Sequence, residues 1–400
     1  MKKSDVMIVG AGPAGSWLGF RLAQAGIDSV ILEKAKFPRY KACAGGLSQK
    51  TIEFLPFSIE EIIERPMAGA WAGFRGKEVP ISDIGLAGAM VMRDTFDNFL
   101  AQKYCAAGGS FFDDTPVVRV EETKDGFRIE SGNEVWAGKI LVGADGAAGF
   151  VRRACGFEQH RDLCVALVAE MRVTKAAMEA LGDFAYFDLS AVRHGYGWIF
   201  PKRTHVSIGI FTHRRDENLN TRLEDFCRTH PLLQGGEILH LQGGALPVGG
   251  YPRQVHRDRV LLVGDAAATV EPFLGEGIYH ALLSADVAVD AITQYLIHGR
   301  SLSLYADKLG VVVDKNIRHA RRLASLFYGH LPWTFPLLVQ NRIVSRAVAR
   351  EIIGKSDFGA CLRYCMMRLP LLPLAYRRGK SRGEAFAPAS KVERSEVEKS

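Results

Sequence analysis

The chain has 400 residues, 48% apolar and 24% charged, and its 41 glycines follow no period; this excludes a wholly disordered, fibrous or collagen-like protein and leaves room for two or more packed lobes. Seven cysteines without a C-x-x-C pair make neither a disulfide framework nor a zinc site. The net charge of +7 is concentrated between Asn341 and Arg382, where ten Lys/Arg face only Glu351 and Asp357, so the remaining chain carries about −1.

In chain order, Asp5 to Val9 reads as a buried strand, followed by glycines and a helix to about Ala25. Ser29 to Leu32 is a second strand ending in Glu33. The segment from Phe37 to Leu47 is turn-rich. A helix is expected over Met90 to Ala107, strands over Lys139 to Gly143, Val206 to Phe211 and Val260 to Val263, and a long helix over Gly277 to Ile297. A mostly helical stretch follows, then a charged tail from residue 383 that is expected to be disordered. No 18-residue uncharged apolar run exists to span a bilayer, and no signal-peptide pattern precedes the first strand, so a cytoplasmic location is expected. The nucleotide-type strands come early, in the middle and late. The expected architecture is therefore α/β and interleaved: a Rossmann-type nucleotide-binding domain from 1–50, 90–157 and 251–300, a β-sheet substrate domain from 51–89 and 158–250, and a basic helical region over 301–382 before the tail at 383–400.

Three motifs carry chemistry. Gly10, Gly12 and Gly15, with Ala14 between the last two, lie between a strand and a helix. The first glycine permits the turn, the second lets a pyrophosphate approach the backbone, and the third lets the helix pack on the strand. The helix N-terminus then offers free N–H groups to the phosphates, and Glu33, at the end of the second strand, can hold ribose hydroxyls. Leu141-Val142-Gly143-Ala144-Asp145-Gly146 is a second strand-to-turn unit. Leu262-Val263-Gly264-Asp265 is a third and runs on to Gly275-Glu276-Gly277-Ile278. Asp265 can hold polyol hydroxyls, and a helix starting near Gly277 can stabilise a reduced ring system. NAD would leave the later two units without a role, whereas FAD has a ribityl chain and an isoalloxazine to place. The eleven histidines form no metal-ligand pattern, and no nucleophile elbow is present.

With these motifs in order across about 270 residues, the sequence resembles the flavoprotein group that includes the aromatic hydroxylases. Within it, Pro38 to Leu47 (PRYKACAGGL), Arg93 with Phe96-Asp97 and Leu100, and Tyr196-Gly197-Trp198-Ile199-Phe200-Pro201-Lys202 are similar to signatures of the geranylgeranyl reductase family. The likeness covers most of residues 5 to 300, and Ala44 departs from the glycine that many members carry. It implies a p-hydroxybenzoate-hydroxylase-like fold with an antiparallel substrate sheet, and FAD contacts at Ala14, Glu33, Ala44, Gly45, Arg93, Asp265, Gly277 and Ile278. Val118, expected on the strand after Pro116, would reach the adenine. Tyr196 and Trp198 would face the substrate, and Cys43 would lie at the flavin's reactive edge in a catalytic or gating role, with plain packing as the alternative for each.

The activity implied is reduction of isolated alkenes in a geranylgeranyl or other polyprenyl chain, with hydride from N5 of reduced flavin and a proton to the other carbon. No second glycine fingerprint marks a resident nicotinamide site, so the donor is open between NADPH and a ferredoxin-like protein. Two alternatives stand beside this: a flavin-dependent monooxygenase of the aromatic-hydroxylase type, and a non-catalytic flavin-binding membrane regulator. Arg342, Arg346 and Arg350 fall four apart, with Ile343, Val344, Ala347, Val348 and Ile352 off that stripe, an interfacial pattern that points to peripheral contact with an anionic membrane at its inner face. Apolar runs rather than stacking aromatics accompany the arginines, so no nucleic-acid partner is expected.

Overall fold

Buried apolar runs with short βα connections drive the first half of the chain into a parallel sheet. In the computed structural model, which describes residues 1–81, 88–340 and 342–368, strand Lys2–Val9 lies between Ser29–Leu32 and Glu134–Gly143, and the parallel order continues to Ser110–Phe112 on one side and Val260–Leu262 on the other. The register aligns Val9 with Leu32 and with Gly143, and Gly143 with Leu262. The carboxyl ends of four strands therefore share one edge, where open α/β sheets bind ligands. Helices Pro13–Gln24, Arg93–Ala106 and Ile278–His298 pack together on this sheet.

A second sheet has the order Glu237–Pro247, Leu163–Arg172, Val206–Thr212, Gly195–Pro201, Phe184–Asp188, Gly69–Phe74, Lys77–Ile81. It is antiparallel except where Phe184–Asp188 runs parallel to Gly69–Phe74. These two strands lie more than a hundred residues apart in the chain, so no hairpin dictates their direction. The sheet alternates as a two-sided strand set must: Ile199, Ile208 and Ile210 pack with Leu223 and Phe226 of helix Leu219–Thr229, while Tyr196, Trp198, Phe200 and Phe211 face the other way.

Several bounds differ from the sequence reading. The helix expected from Met90 begins at Arg93, because Gly88–Met90 is a strand pairing with Gly46–Ser48 and Arg65–Met67 in a small third sheet. Residues 315–368 form four helices, Lys315–Gly329, Leu331–Gln340, Arg342–Ile352 and Phe358–Arg368. Val348 and Ala349 are buried, and Ala347 and Ile352 pack against the apolar cluster that joins the C-terminal helices to the aromatic residues of the second sheet. The expectation that Ala347, Val348 and Ile352 enter a membrane is thereby corrected: a protein surface already covers them. Arg350 is exposed. The tail from residue 383 and the apolar run Leu369 to Tyr376 lie outside the described residues. Among the described residues, no helix is long and apolar enough to cross a membrane.

Candidate functional site

The shared strand edge gathers the glycine motif, Glu33 and the Asp265 unit. Gly10 has φ +103°, and a Cβ there would come within 2.5 Å of the Ala144 carbonyl; one on Gly15 would lie 1.9 Å from the Gly10 carbonyl. Both positions therefore exclude side chains. A Cβ on Gly12 would meet nothing within 4 Å. Gly12 thus opens onto free space at the N-terminus of helix Pro13–Gln24, which has no side-chain cap and keeps its first N–H groups free. Ala14 packs against Gly264, where a Cβ would lie 2.9 Å from that of Ala14. Glu33 is buried, and its carboxylate accepts hydrogen bonds from the amides of Ala11 (2.8 Å) and Ala35 (3.0 Å). Two of about four acceptor positions are used, leaving capacity for hydroxyl donors.

At the opposite end, Asp265 is the second residue of the short 3₁₀ turn Gly264–Ala267 after strand Val260–Leu262. Burial holds its carboxyl above the ordinary range, with Lys41 and Arg93 acting against the shift. A Cβ on Gly277 would lie 3.7 Å from the Asp265 Oδ1. Gly277 leads into the 21-residue helix that begins at Ile278, also without a side-chain cap. These features suit a dinucleotide with a polyol chain and an electron-accepting ring: an open cradle, two uncapped helix starts and two withdrawn carboxylates.

Between these ends lies the turn Cys43–Gly45. Gly45 has φ +69°, and a Cβ there would fall 2.0 Å from the Val91 carbonyl. The Gly45 amide donates to Cys43 Sγ (3.4 Å), and the Val91 amide to the Gly45 carbonyl (2.8 Å). Cys43 stands beside the Arg93 guanidinium, which makes a two-pronged bond to Asp97 (2.8 and 2.9 Å). Burial disfavours the Arg93 charge, but Asp97 outweighs it. Arg39 reaches the same Asp97 carboxylate at 2.9 Å.

Tyr196 and Trp198 are buried on one face of strand Gly195–Pro201, in a cluster with Phe200, Phe211, Phe273, Tyr328 and Phe358. Burial pushes the Tyr196 phenol well above its ordinary range, and its hydroxyl donates to the Leu274 carbonyl, three residues before Gly277. The Trp198 ring lies across Gly209, where a Cβ would be 2.3 Å away, and its buried indole N–H has no hydrogen-bond partner among the described residues. Val118 stands apart. It precedes strand Arg119–Thr123 rather than lying on it, because only its amide pairs, with the Glu130 carbonyl at 2.9 Å, and its side chain is 59% exposed.

Sequence reasoning missed several charged groups around this site. Glu271 caps the amides of Phe273 and Leu274, and burial raises its carboxyl to about 8. Lys50 Nζ stands 2.7 Å from both Glu276 and Glu351, tying the loop before Gly277 to helix Arg342–Ile352. Lys202, fully buried at the end of the Tyr196 strand, donates to the carbonyls of Ala44 and Val91. The signal for Lys202 was a lysine closing an otherwise apolar strand; nothing local marks the partners of Lys50.

A family model described as an FAD binding domain matches residues 3–287. An uncharacterized protein of Methanosarcina barkeri is 32% identical over 85% of this chain and 87% of its own length. Digeranylgeranylglycerophospholipid reductase 1 of Methanopyrus kandleri is 30% identical over 80% of this chain and 90% of its own. A geranylgeranyl bacteriochlorophyll reductase-like structure from Thermoplasma acidophilum superposes with a TM-score of 0.80 at 23% identity, covering 94% of this chain and 99% of that one. The fold is thus the FAD-binding fold of the p-hydroxybenzoate hydroxylase type with C-terminal helices, FAD is the cofactor that the cradle fits, and the chain belongs to the geranylgeranyl reductase family.

Proposed function

We propose that this protein is an FAD-dependent reductase of alkene double bonds in a geranylgeranyl or other polyprenyl chain. The observation that carries the reading is the buried aromatic face of Tyr196, Trp198, Phe200 and Phe211, clustered with Phe273, Tyr328 and Phe358 and tied to the loop before Gly277 by the Tyr196–Leu274 bond. An isolated alkene is not polarised, so it must be held by shape in a dry site, which is what aromatic walls supply. The reductase name of the Methanopyrus relative supports the same substrate class.

Bound and reduced, FAD supplies the hydride from N5. The chain's residues do the rest. Gly10, Gly12, Ala14 and Gly15 would cradle the pyrophosphate and Glu33 the ribose, with Val118 at the adenine edge. Asp265, Gly277 and Ile278 would hold the ribityl chain and ring, and Ala44, Gly45 and Arg93 the opposite ring edge. Cys43 would meet the alkene beside the reacting edge, and Tyr196 and Trp198 would orient the prenyl chain. The electron donor is NADPH or a ferredoxin-like protein. The substrate would be drawn from an anionic membrane surface, where Trp333, 72% exposed, stands on the C-terminal helical region with Arg350, Met366 and Met367 also exposed.

The test is anaerobic incubation of the dithionite-reduced holoprotein with digeranylgeranylglycerophospholipid, followed by mass spectrometry. Products heavier by two hydrogens per step are expected. Unchanged lipid under anaerobiosis, together with substrate-coupled oxygen uptake in a separate aerobic assay, would replace this reading by that of a flavin monooxygenase.

A further inference from the structure

A buried lysine ordinarily has a carboxylate partner, because an isolated ammonium is costly to remove from water. Lys202 departs from this. Its Nζ is fully buried and donates to two neutral acceptors, the Ala44 and Val91 carbonyls, each at 2.8 Å. Among the described residues no carboxylate pairs with it. Glu170 lies near enough to act on its charge but is occupied by Tyr40 (3.2 Å) and His205 (3.2 Å). Glu64, a second carboxylate near enough to act on that charge, accepts from the Arg203 amide.

The two carbonyls belong to different segments. Ala44 lies in the turn that carries Cys43 and Gly45, and Val91 leads into the helix that begins at Arg93. Lys202 itself follows directly on the strand of Tyr196 and Trp198. One ammonium group thus joins the substrate strand to both segments assigned above to one edge of the flavin. The fit is tight, since a Cβ on Gly45 would come within 2.6 Å of Nζ.

We propose that Lys202 is a positioning residue, whose charged ammonium clamps the Cys43–Gly45 turn to Val91 and so sets the flavin's edge against the substrate strand. This rests on the reading of the site as an FAD site, and needs no assumption about which lipid is reduced. The clamp depends on protonation, because hydrogen bonds from a charged donor are roughly twice as strong as neutral ones. Burial brings the Lys202 amine down to about 8, against the pull of Glu170, Cys43 and Glu64. The clamp therefore holds below that pH and slackens above it.

The experiment measures FAD release from full-length holoprotein after dilution, by recovery of flavin fluorescence, from pH 6.5 to 9.5. The wild type should release FAD at a constant rate up to about pH 7.5 and several-fold faster by pH 9.5. Lys202→Met should release FAD about tenfold faster at pH 7 and show no such acceleration between pH 8 and 9.5. Arg203→Met, which alters an exposed neighbour, should behave as wild type. An equal alkaline acceleration in wild type and Lys202→Met, or none in wild type, overturns the proposal; if the methionine variant does not fold, Lys202→Arg, which keeps its cation across the whole pH series, takes its place and should lose the acceleration. A wild type that holds no FAD would instead refute the FAD reading on which the inference stands.

Discussion

Lys50→Met tests whether the loop before Gly277 and helix Arg342–Ile352 are held together by charge. In the wild type, one ammonium stands 2.7 Å from Glu276 and from Glu351, with side-chain exposures of 7%, 15% and 2% for Lys50, Glu276 and Glu351. Burial raises the Glu276 carboxyl, but Lys50 outweighs it and holds Glu276 below its ordinary 4.5. For Glu351 burial wins, and its carboxyl is held up at about 7. Methionine fills similar volume but removes the cation. Glu276 must then take up a proton at pH 7, a cost of about 1.4 kcal/mol for each pH unit above its ordinary value, or roughly 3 kcal/mol. That agrees with the ~3–5 kcal/mol found when one partner of a buried ion pair is removed. At pH 5 the same protonation costs only about 1 kcal/mol. Amide hydrogen exchange in helix Arg342–Ile352 reports the opening free energy locally, without requiring a two-state whole chain. The expected result is a loss of about 3 kcal/mol at pH 7 that shrinks to about 1 at pH 5. A loss below about 1 kcal/mol at pH 7, or an equal loss at both pH values, would refute the reasoning.

Glu33→Ala should leave a folded protein with roughly ten- to hundredfold weaker FAD retention, the worth of one or two hydrogen bonds to a charged group, read as the flavin-to-protein absorbance ratio after gel filtration; full retention would remove Glu33 from the cofactor site. Cys43→Ala should keep its flavin yet change turnover or the number of bonds saturated, and identical products at identical rate would assign Cys43 to packing. Because Glu351 titrates higher in the fold than in the unfolded chain, stability should fall as pH rises from about 4.5 to 7; Glu351→Gln should flatten that part of a urea-denaturation profile. Replacing Arg342, Arg346 and Arg350 by glutamine should weaken sedimentation with anionic vesicles by up to about 1 kcal/mol for each arginine near the surface, with flavin content unchanged; equal sedimentation of both proteins would move the contact elsewhere.

The parallel strands were legible because each is a short continuous apolar run followed by glycine or an acid, as in Ser29–Leu32 before Glu33. Gly10 and Gly15 were legible because backbone approaches demand them, whereas Gly45 entered only through the family resemblance. The strand Gly88–Met90 was not, since Ala89-Met90-Val91 is apolar under either period and its partners, at Gly46–Ser48 and Arg65–Met67, are distant. The parallel pairing of Phe184–Asp188 with Gly69–Phe74 was hidden for the same reason. Glu276 and Glu351 lie far along the chain from Lys50, so no periodicity could announce their meeting. The helix spacing of Arg342 and its neighbours was read correctly as helical. It could not reveal that the protein's own apolar cluster already covers that helix at Ala347, Val348 and Ile352.

The stretch matched by the FAD family ends at residue 287, within the helix Ile278–His298, while Ile317, Ala320, Phe327 and Tyr328 come from the later helix Lys315–Gly329. Tyr305 donates its hydroxyl to the Leu262 carbonyl at 2.6 Å, at the carboxyl end of strand Val260–Leu262. Tyr328 donates to the Phe273 carbonyl, also at 2.6 Å. A chain ended at the family boundary would leave a nucleotide fold with an unclosed aromatic flank, the kind of contiguous apolar surface on which proteins self-associate. Family membership therefore marks where the cofactor signature stops being recognisable; the smallest unit that can stand alone in water extends further, at least through Tyr328.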